Sequence, residues 1–155
     1  MSSEFRIEKA RVPVALAMSN GERLAGDVFL NQSSPHRWGR EEVADLLNAP
    51  EHFFPLGGDD GGIRFVRKDH VAEVLLLEES PPEELMSPLG REVAVEVCLE
   101  TGERYCGAVA YDLASPRPRL LDWLNRLGQR FILVRLAAGP RLVNWQRLQA
   151  LRPLD

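Results

Sequence analysis

A hairpin pattern that occurs twice is the feature that most constrains how this chain can fold. Val12 to Leu30 reads V-P-V-A-L-A-M-S-N-G-E-R-L-A-G-D-V-F-L, two apolar runs on either side of an Asn-Gly pair. Val93 to Tyr111 reads V-A-V-E-V-C-L-E-T-G-E-R-Y-C-G-A-V-A-Y, with Gly-Glu-Arg at the same place. Alternating apolar residues around a glycine-containing turn are typical of a β-hairpin. The sequence therefore predicts two hairpins of one design.

The similarity between the two parts of the chain continues beyond the hairpins. An offset of 81 residues aligns 12–35 with 93–116, with nine identities in 24 positions. An offset of 77 aligns 45–74 with 122–151, with eight identities in 30 positions. We therefore predict an internal duplication, with a first copy over 1–79, a linker rich in Pro and Glu over 80–88, and a second copy over 89–155.

Each copy is predicted to have the order β-β-α-β-β-β. In the first copy, apolar spacing predicts a short helix over 40–48, and strands follow at 52–56, 63–67 and 70–78. Gly26 in the second strand predicts a bulge or a sharp bend.

Two local details of this pattern can be tested directly. In the second copy, a two-residue turn at Thr101-Gly102 would place Cys98 opposite Tyr105. Asp45 and Asn48 recur as Asp122 and Asn125, and we interpret them as structural residues at the end of the short helix.

The opening V-x-V-x-L-x-x-x-x-G and the glycine inside strand two resemble the Sm-like branch of the SH3-like barrels. The resemblance implies a mainly β protein of two tandem small five-stranded barrels, each with a short helix between strands two and three. Sm-like proteins themselves place their helix before strand one. The segments where that family contacts RNA read Asn31–Ser34 and Arg67–His70 in the first copy, and Asp112–Ser115 and Asn144–Arg147 in the second. Neither copy matches the family's pattern, so the resemblance does not imply RNA binding.

The sequence has few candidate catalytic or metal-binding residues. His36, His52 and His70 are spaced unlike metal ligands and have no histidine counterparts in the second copy. Asp59 and Asp60 lie among four glycines, which is typical of a hairpin tip. We therefore predict no enzyme activity, no metal and no cofactor.

The charge is divided unevenly between the two parts of the chain. Residues 1–90 carry 9 Lys and Arg against 16 Asp and Glu, which gives −7, while 91–155 carry 10 against 7, which gives +3. These parts are expected to attract each other or a neighbouring molecule. The sequence has no apolar run near the ~20 residues of a membrane span and no secretory signal, so a cytoplasmic, bacterial-type protein is predicted.

The predicted role is that of an interaction or scaffold protein acting through exposed sheet edges, with a protein partner or self-association and no membrane. The alternative is that the arginine-rich second copy binds RNA or single-stranded DNA. The residues predicted for that alternative are Arg104, Arg130, Arg135, Arg141, Trp145 and Arg147.

Overall fold

A computed structural model describes residues 9–32, 41–77, 90–112 and 120–154. These residues form a mainly β structure, as predicted, with two short helices. The elements in chain order are β1 Lys9–Met18, β2 Arg23–Asn31, α1 Val43–Asn48, β3 Phe53–Gly57, β4 Ile63–Arg67, β5 Val71–Leu76, β6 Gly90–Leu99, β7 Arg104–Asp112, α2 Leu120–Asn125, β8 Phe131–Leu136, β9 Gly139–Asn144 and β10 Leu148–Pro153.

All ten strands belong to one open antiparallel sheet, in the order β10-β6-β7-β8-β9-β5-β1-β2-β3-β4. The chain was expected to form two tandem small barrels, and the sheet that it forms is not closed. The sheet is continuous because β9, from the second half of the chain, pairs with β5, from the first half. Strands β4 and β10 lie at its two ends. The predicted linker, 80–88, lies outside the described residues.

The turn between β6 and β7 is one residue longer than predicted. The Leu99 N–H donates to the Glu103 carbonyl oxygen at 2.9 Å, so the loop that this pair encloses, Glu100–Gly102, has three residues, and Gly102 has a φ of 92°. A turn that ends on a left-handed glycine adds one residue to the loop and shifts the register of the hairpin. Cys98 therefore lies opposite Arg104, and the prediction that it faces Tyr105 is wrong.

Gly26 has a steric role in β2. The pairing of β1 with β2 runs through this position without a register shift, so no bulge is present there. A Cβ atom at Gly26 would collide with the carbonyl oxygen of Gly57 in β3. Glycine is therefore required because β2 and β3 approach closely at this point.

Two apolar clusters form the core. One draws on β6 to β9, with Val95, Val97, Leu99, Val109, Ile132, Val134 and Val143. The other is built mainly from the first half of the chain, but Phe131 of β8 and Leu142 of β9 belong to it. The second half of the chain therefore contributes side chains to the core of the first.

Candidate functional site: the sheet junction and the sheet ends

We call the pairing of β5 with β9 the internal junction, because it joins the two halves of the sheet. Its antiparallel register places Glu73 opposite Val143, Val74 opposite Leu142, and Leu75 opposite Arg141. The two apolar residues that cross it, Phe131 and Leu142, are each 1% exposed.

Asn48, the last residue of α1, forms hydrogen bonds with the backbone of β8 across the internal junction. Its amide nitrogen donates to the Phe131 carbonyl oxygen at 3.3 Å, and the Phe131 N–H donates to its amide oxygen at 2.7 Å. The sequence indicated a structural role at the helix end, whereas these bonds join residues 83 positions apart. The recurrence of Asn48 as Asn125 was the available signal, but it did not reveal the partner.

Asn144, at the end of β9, makes a second polar contact across the internal junction. It is fully buried, and its amide nitrogen donates to the carbonyl oxygen of Val71 at 3.0 Å and to that of Lys68 at 3.4 Å. Beside it, Arg147 Nε donates to the Asp69 carbonyl oxygen at 2.7 Å. The backbone that leads into β5 is therefore held by side chains from the second half.

A buried ion pair lies at the centre of the internal junction. Arg141 Nη1 is 2.6 Å from Glu73 Oε1, and Glu73 is fully buried. Burial raises the pKa of Glu73, and the charge of Arg141 opposes that rise. Glu103 lies 3.7 Å from Arg141 and 3.5 Å from Arg23. Basic and acidic residues of the two halves thus attract each other within the chain.

Lys68 is a buried residue that the sequence interpretation missed. Its ammonium donates to the carbonyl oxygens of Leu46 at 2.7 Å and Ala49 at 3.1 Å, at the end of α1. Burial lowers the pKa of this lysine, and nearby Arg130 acts in the same direction. The bonds hold α1 in place, and with it Asn48.

The sheet end at β4 exposes large apolar side chains. Phe53 is 52% exposed, Ile63 60% and Phe65 74%, and all three lie on β3 or β4. Helix α2 leaves Leu121 65% exposed beside the half-buried Leu120. Among the described strands, β4 and β10 each have a neighbour on one side only, and the β4 end is the one with large exposed apolar side chains on its strands.

The residues predicted for nucleic-acid binding are distributed over the second half. Arg104 and Trp145 are exposed, and Trp145 lines an open cleft together with Arg130. The other guanidinium groups lie near acids: Arg130 at 3.7 Å from Asp69, Arg135 at 3.2 Å from Glu92, Arg141 at 2.6 Å from Glu73, and Arg147 at 3.4 Å from Glu100.

Within the described ranges, no group of three or more His, Cys, Asp or Glu residues could hold a metal ion, and His36 lies outside those ranges. No helix in the same ranges is long and apolar enough to cross a membrane. Comparisons with protein-family models, with curated proteins and with solved structures found no match for this chain.

Proposed function

We propose that this chain is a non-enzymatic interaction or scaffold protein, built from two duplicated Sm-like units, that binds polypeptide partners at the ends of its sheet. The observation that carries the proposal is the exposed apolar surface of β4, whose outer edge pairs with none of the other described strands. A strand at a sheet edge presents unpaired N–H and C=O groups, so a partner strand can add to it.

The strand order supports the duplicated architecture. Residues 9–76 contribute β5-β1-β2-β3-β4, and residues 90–153 contribute β10-β6-β7-β8-β9, which is the same order when β6 to β10 are matched with β1 to β5. Each set of five strands also supplies all or most of one apolar cluster. The internal junction is then an example, within one chain, of the edge contact that we propose for partners.

Cross-linking in the cytoplasm of the native host tests this proposal. With the photoreactive amino acid p-benzoylphenylalanine in place of Phe65, we expect covalent protein adducts after irradiation, identified by mass spectrometry. The matched control carries the same group in place of Ala138, which is exposed in the loop between β8 and β9. Adducts at neither position, or equal adducts at both, would contradict edge binding.

Single-stranded nucleic acid is the second candidate partner, because Arg104 and Trp145 are both exposed in the arginine-rich half. We expect oligouridine to be retained weakly by the full chain in filter binding, and only at low salt, because the other predicted arginines lie near acids. Retention at 200 mM salt that falls in Arg104→Ala would instead establish nucleic acid as the partner.

A further inference from the structure

We propose that the partner at the sheet ends is a second copy of this chain, bound head to tail, so that β10 of one copy pairs with β4 of the next as β5 pairs with β9. This inference rests on the proposed function, because it needs an open edge that accepts a strand. It goes further by identifying the partner and the register of the contact.

The pairing registers show which residues correspond. Strand β5 shifts register against β1 beside Ala72, and β10 shifts register against β6 beside Gln149. The two shifts match Ala72 with Gln149, so Val74, two residues after Ala72, corresponds to Leu151, two residues after Gln149. Strands β4 and β9 keep the sequence offset of 77, so Arg67 corresponds to Asn144. Phe53 pairs with Arg67 and Phe131 pairs with Asn144, so in the structure Phe131 corresponds to Phe53, one residue away from the sequence alignment, which matches it with Phe54. Thus β4 corresponds to β9, and β10 to β5.

The apolar residues that are buried at the internal junction have exposed counterparts at the β4 end. Phe131 and Leu142 are each 1% exposed, whereas the corresponding Phe53 and Phe65 are 52% and 74% exposed. On the receiving side, Val74 is fully buried, and the corresponding Leu151 on β10 is half-buried. A second copy placed in the junction register would cover both sets of side chains at once.

Asn125 gives the contact a specific polar anchor. It ends α2 as Asn48 ends α1, and its side chain is exposed. Asn48 exchanges two hydrogen bonds with the backbone of Phe131. Asn125 of one copy is therefore placed to exchange the same two bonds with the backbone of Phe53 in the next copy.

The recurring Glu-Arg pair of the hairpins fits the same contact. Arg23 forms an ion pair with Glu103 beside the internal junction, at 3.5 Å. The corresponding residues are Arg104, at the start of β7, and Glu22, in the loop between β1 and β2. Within the described parts of the chain, neither side chain forms a salt bridge, although Arg104 lies near enough to Glu96 for its charge to lower the pKa of that carboxyl. A head-to-tail contact would bring them together and would join the acidic part of one copy to the basic part of the next.

The contact between copies is expected to be weaker than the internal junction. Ala150 of β10 corresponds to Glu73 of β5, so the contact between copies lacks the buried ion pair. In the same register, Arg152 of one copy would face Arg64 of the next, and these two positive charges repel each other. Assembly should therefore depend on protein concentration. Because the two surfaces differ, repeated contacts produce a ring where the rotation closes and an open filament where it does not.

Sedimentation velocity of two blocked variants tests the orientation of the contact. Phe65→Glu places a charge at the exposed β4 end, and Ala150→Arg places one at the exposed β10 end. We expect the unmodified chain to assemble with rising concentration, each variant alone to remain monomeric, and an equimolar mixture to form one-to-one heterodimers. Circular dichroism and cooperative thermal unfolding verify that both variants are folded.

A milder variant tests the proposed anchor. Asn125→Ala should raise the dissociation constant about tenfold, since two hydrogen bonds are lost. Gln129→Ala, an exposed amide in the loop before β8, should leave it unchanged.

Three results would overturn the inference: an unmodified chain that stays monomeric at every concentration, a blocked variant that still dimerises by itself, or no effect of Asn125→Ala. A monomeric chain whose position 65 still cross-links to other proteins would remove the second copy as partner and leave the proposed function standing. Failure of both experiments would remove both proposals.

Discussion

Arg141→Met is expected to lower the free energy of unfolding by about 3 kcal/mol, because it leaves the buried Glu73 carboxylate without its cationic partner. Breaking a buried pair costs about 3–5 kcal/mol. The Arg141 side chain is 19% exposed, which places this site at the low end of that range. Urea denaturation of the variant and the unmodified chain at pH 7 measures the difference.

The pH dependence of the same variant provides an independent test. Burial already raises the pKa of Glu73, and Arg141 opposes the rise, so removing the arginine raises it further. Where a carboxyl has a higher pKa in the folded state than in the unfolded state, the free energy of unfolding falls as the pH rises through the folded-state pKa. The difference in the free energy of unfolding between Arg141→Met and the unmodified chain should therefore shrink as the pH is lowered towards the unfolded-state pKa of Glu73.

An exposed ion pair is the matched control for this substitution. Arg135 lies 3.2 Å from Glu92, and the two side chains are 41% and 50% exposed. Arg135→Met should change the free energy of unfolding by less than about 1 kcal/mol. Equal losses in Arg141→Met and Arg135→Met, or a deficit that does not change with pH, would contradict the role assigned to Glu73 and Arg141.

Phe131→Ala is expected to destabilise the chain by about 3–5 kcal/mol, because it removes a fully buried aromatic ring from the core that spans the internal junction. Phe53→Ala is the matched control, since Phe53 occupies the corresponding position and is 52% exposed. It should change stability far less when both variants are measured at concentrations low enough to keep the chain monomeric.

Chemical denaturation followed by circular dichroism compares the two phenylalanine variants. Equal losses of stability would show that Phe131 does not hold the two halves together. A smaller loss in Phe131→Ala than in Phe53→Ala would also contradict the register of the internal junction.

Much of the local structure could be predicted from the sequence. The segment 63–67 was predicted as a strand and forms β4 with the same bounds, and the helix predicted over 40–48 forms over Val43–Asn48. Local patterns suffice for such elements, because apolar periodicity and turn residues report directly on backbone geometry. The predicted register of the hairpin between β6 and β7 was wrong, because the alternation of apolar residues does not show whether the loop has one additional residue.

The internal junction could not be predicted from the sequence, for a physical reason. Alternation shows which face of a strand is buried but not which strand lies beside it. Phe65 and Leu142 are both apolar residues of matching strands. Phe65 is exposed and Leu142 is buried, because β9 pairs with β5 on its outer edge, whereas no other described strand pairs with the outer edge of β4. Asn48 likewise bonds to a residue 83 positions away, beyond the reach of helix-end rules.

Because β5 and β9 belong to one polypeptide, each remains near the other however far the protein is diluted. Tethering of this kind produces effective concentrations in the millimolar range for short connections. The pairing of the two halves is therefore unimolecular, and dilution cannot separate them without unfolding the chain. A contact of the same geometry made between molecules has no such protection, so the cell could regulate it through expression level alone.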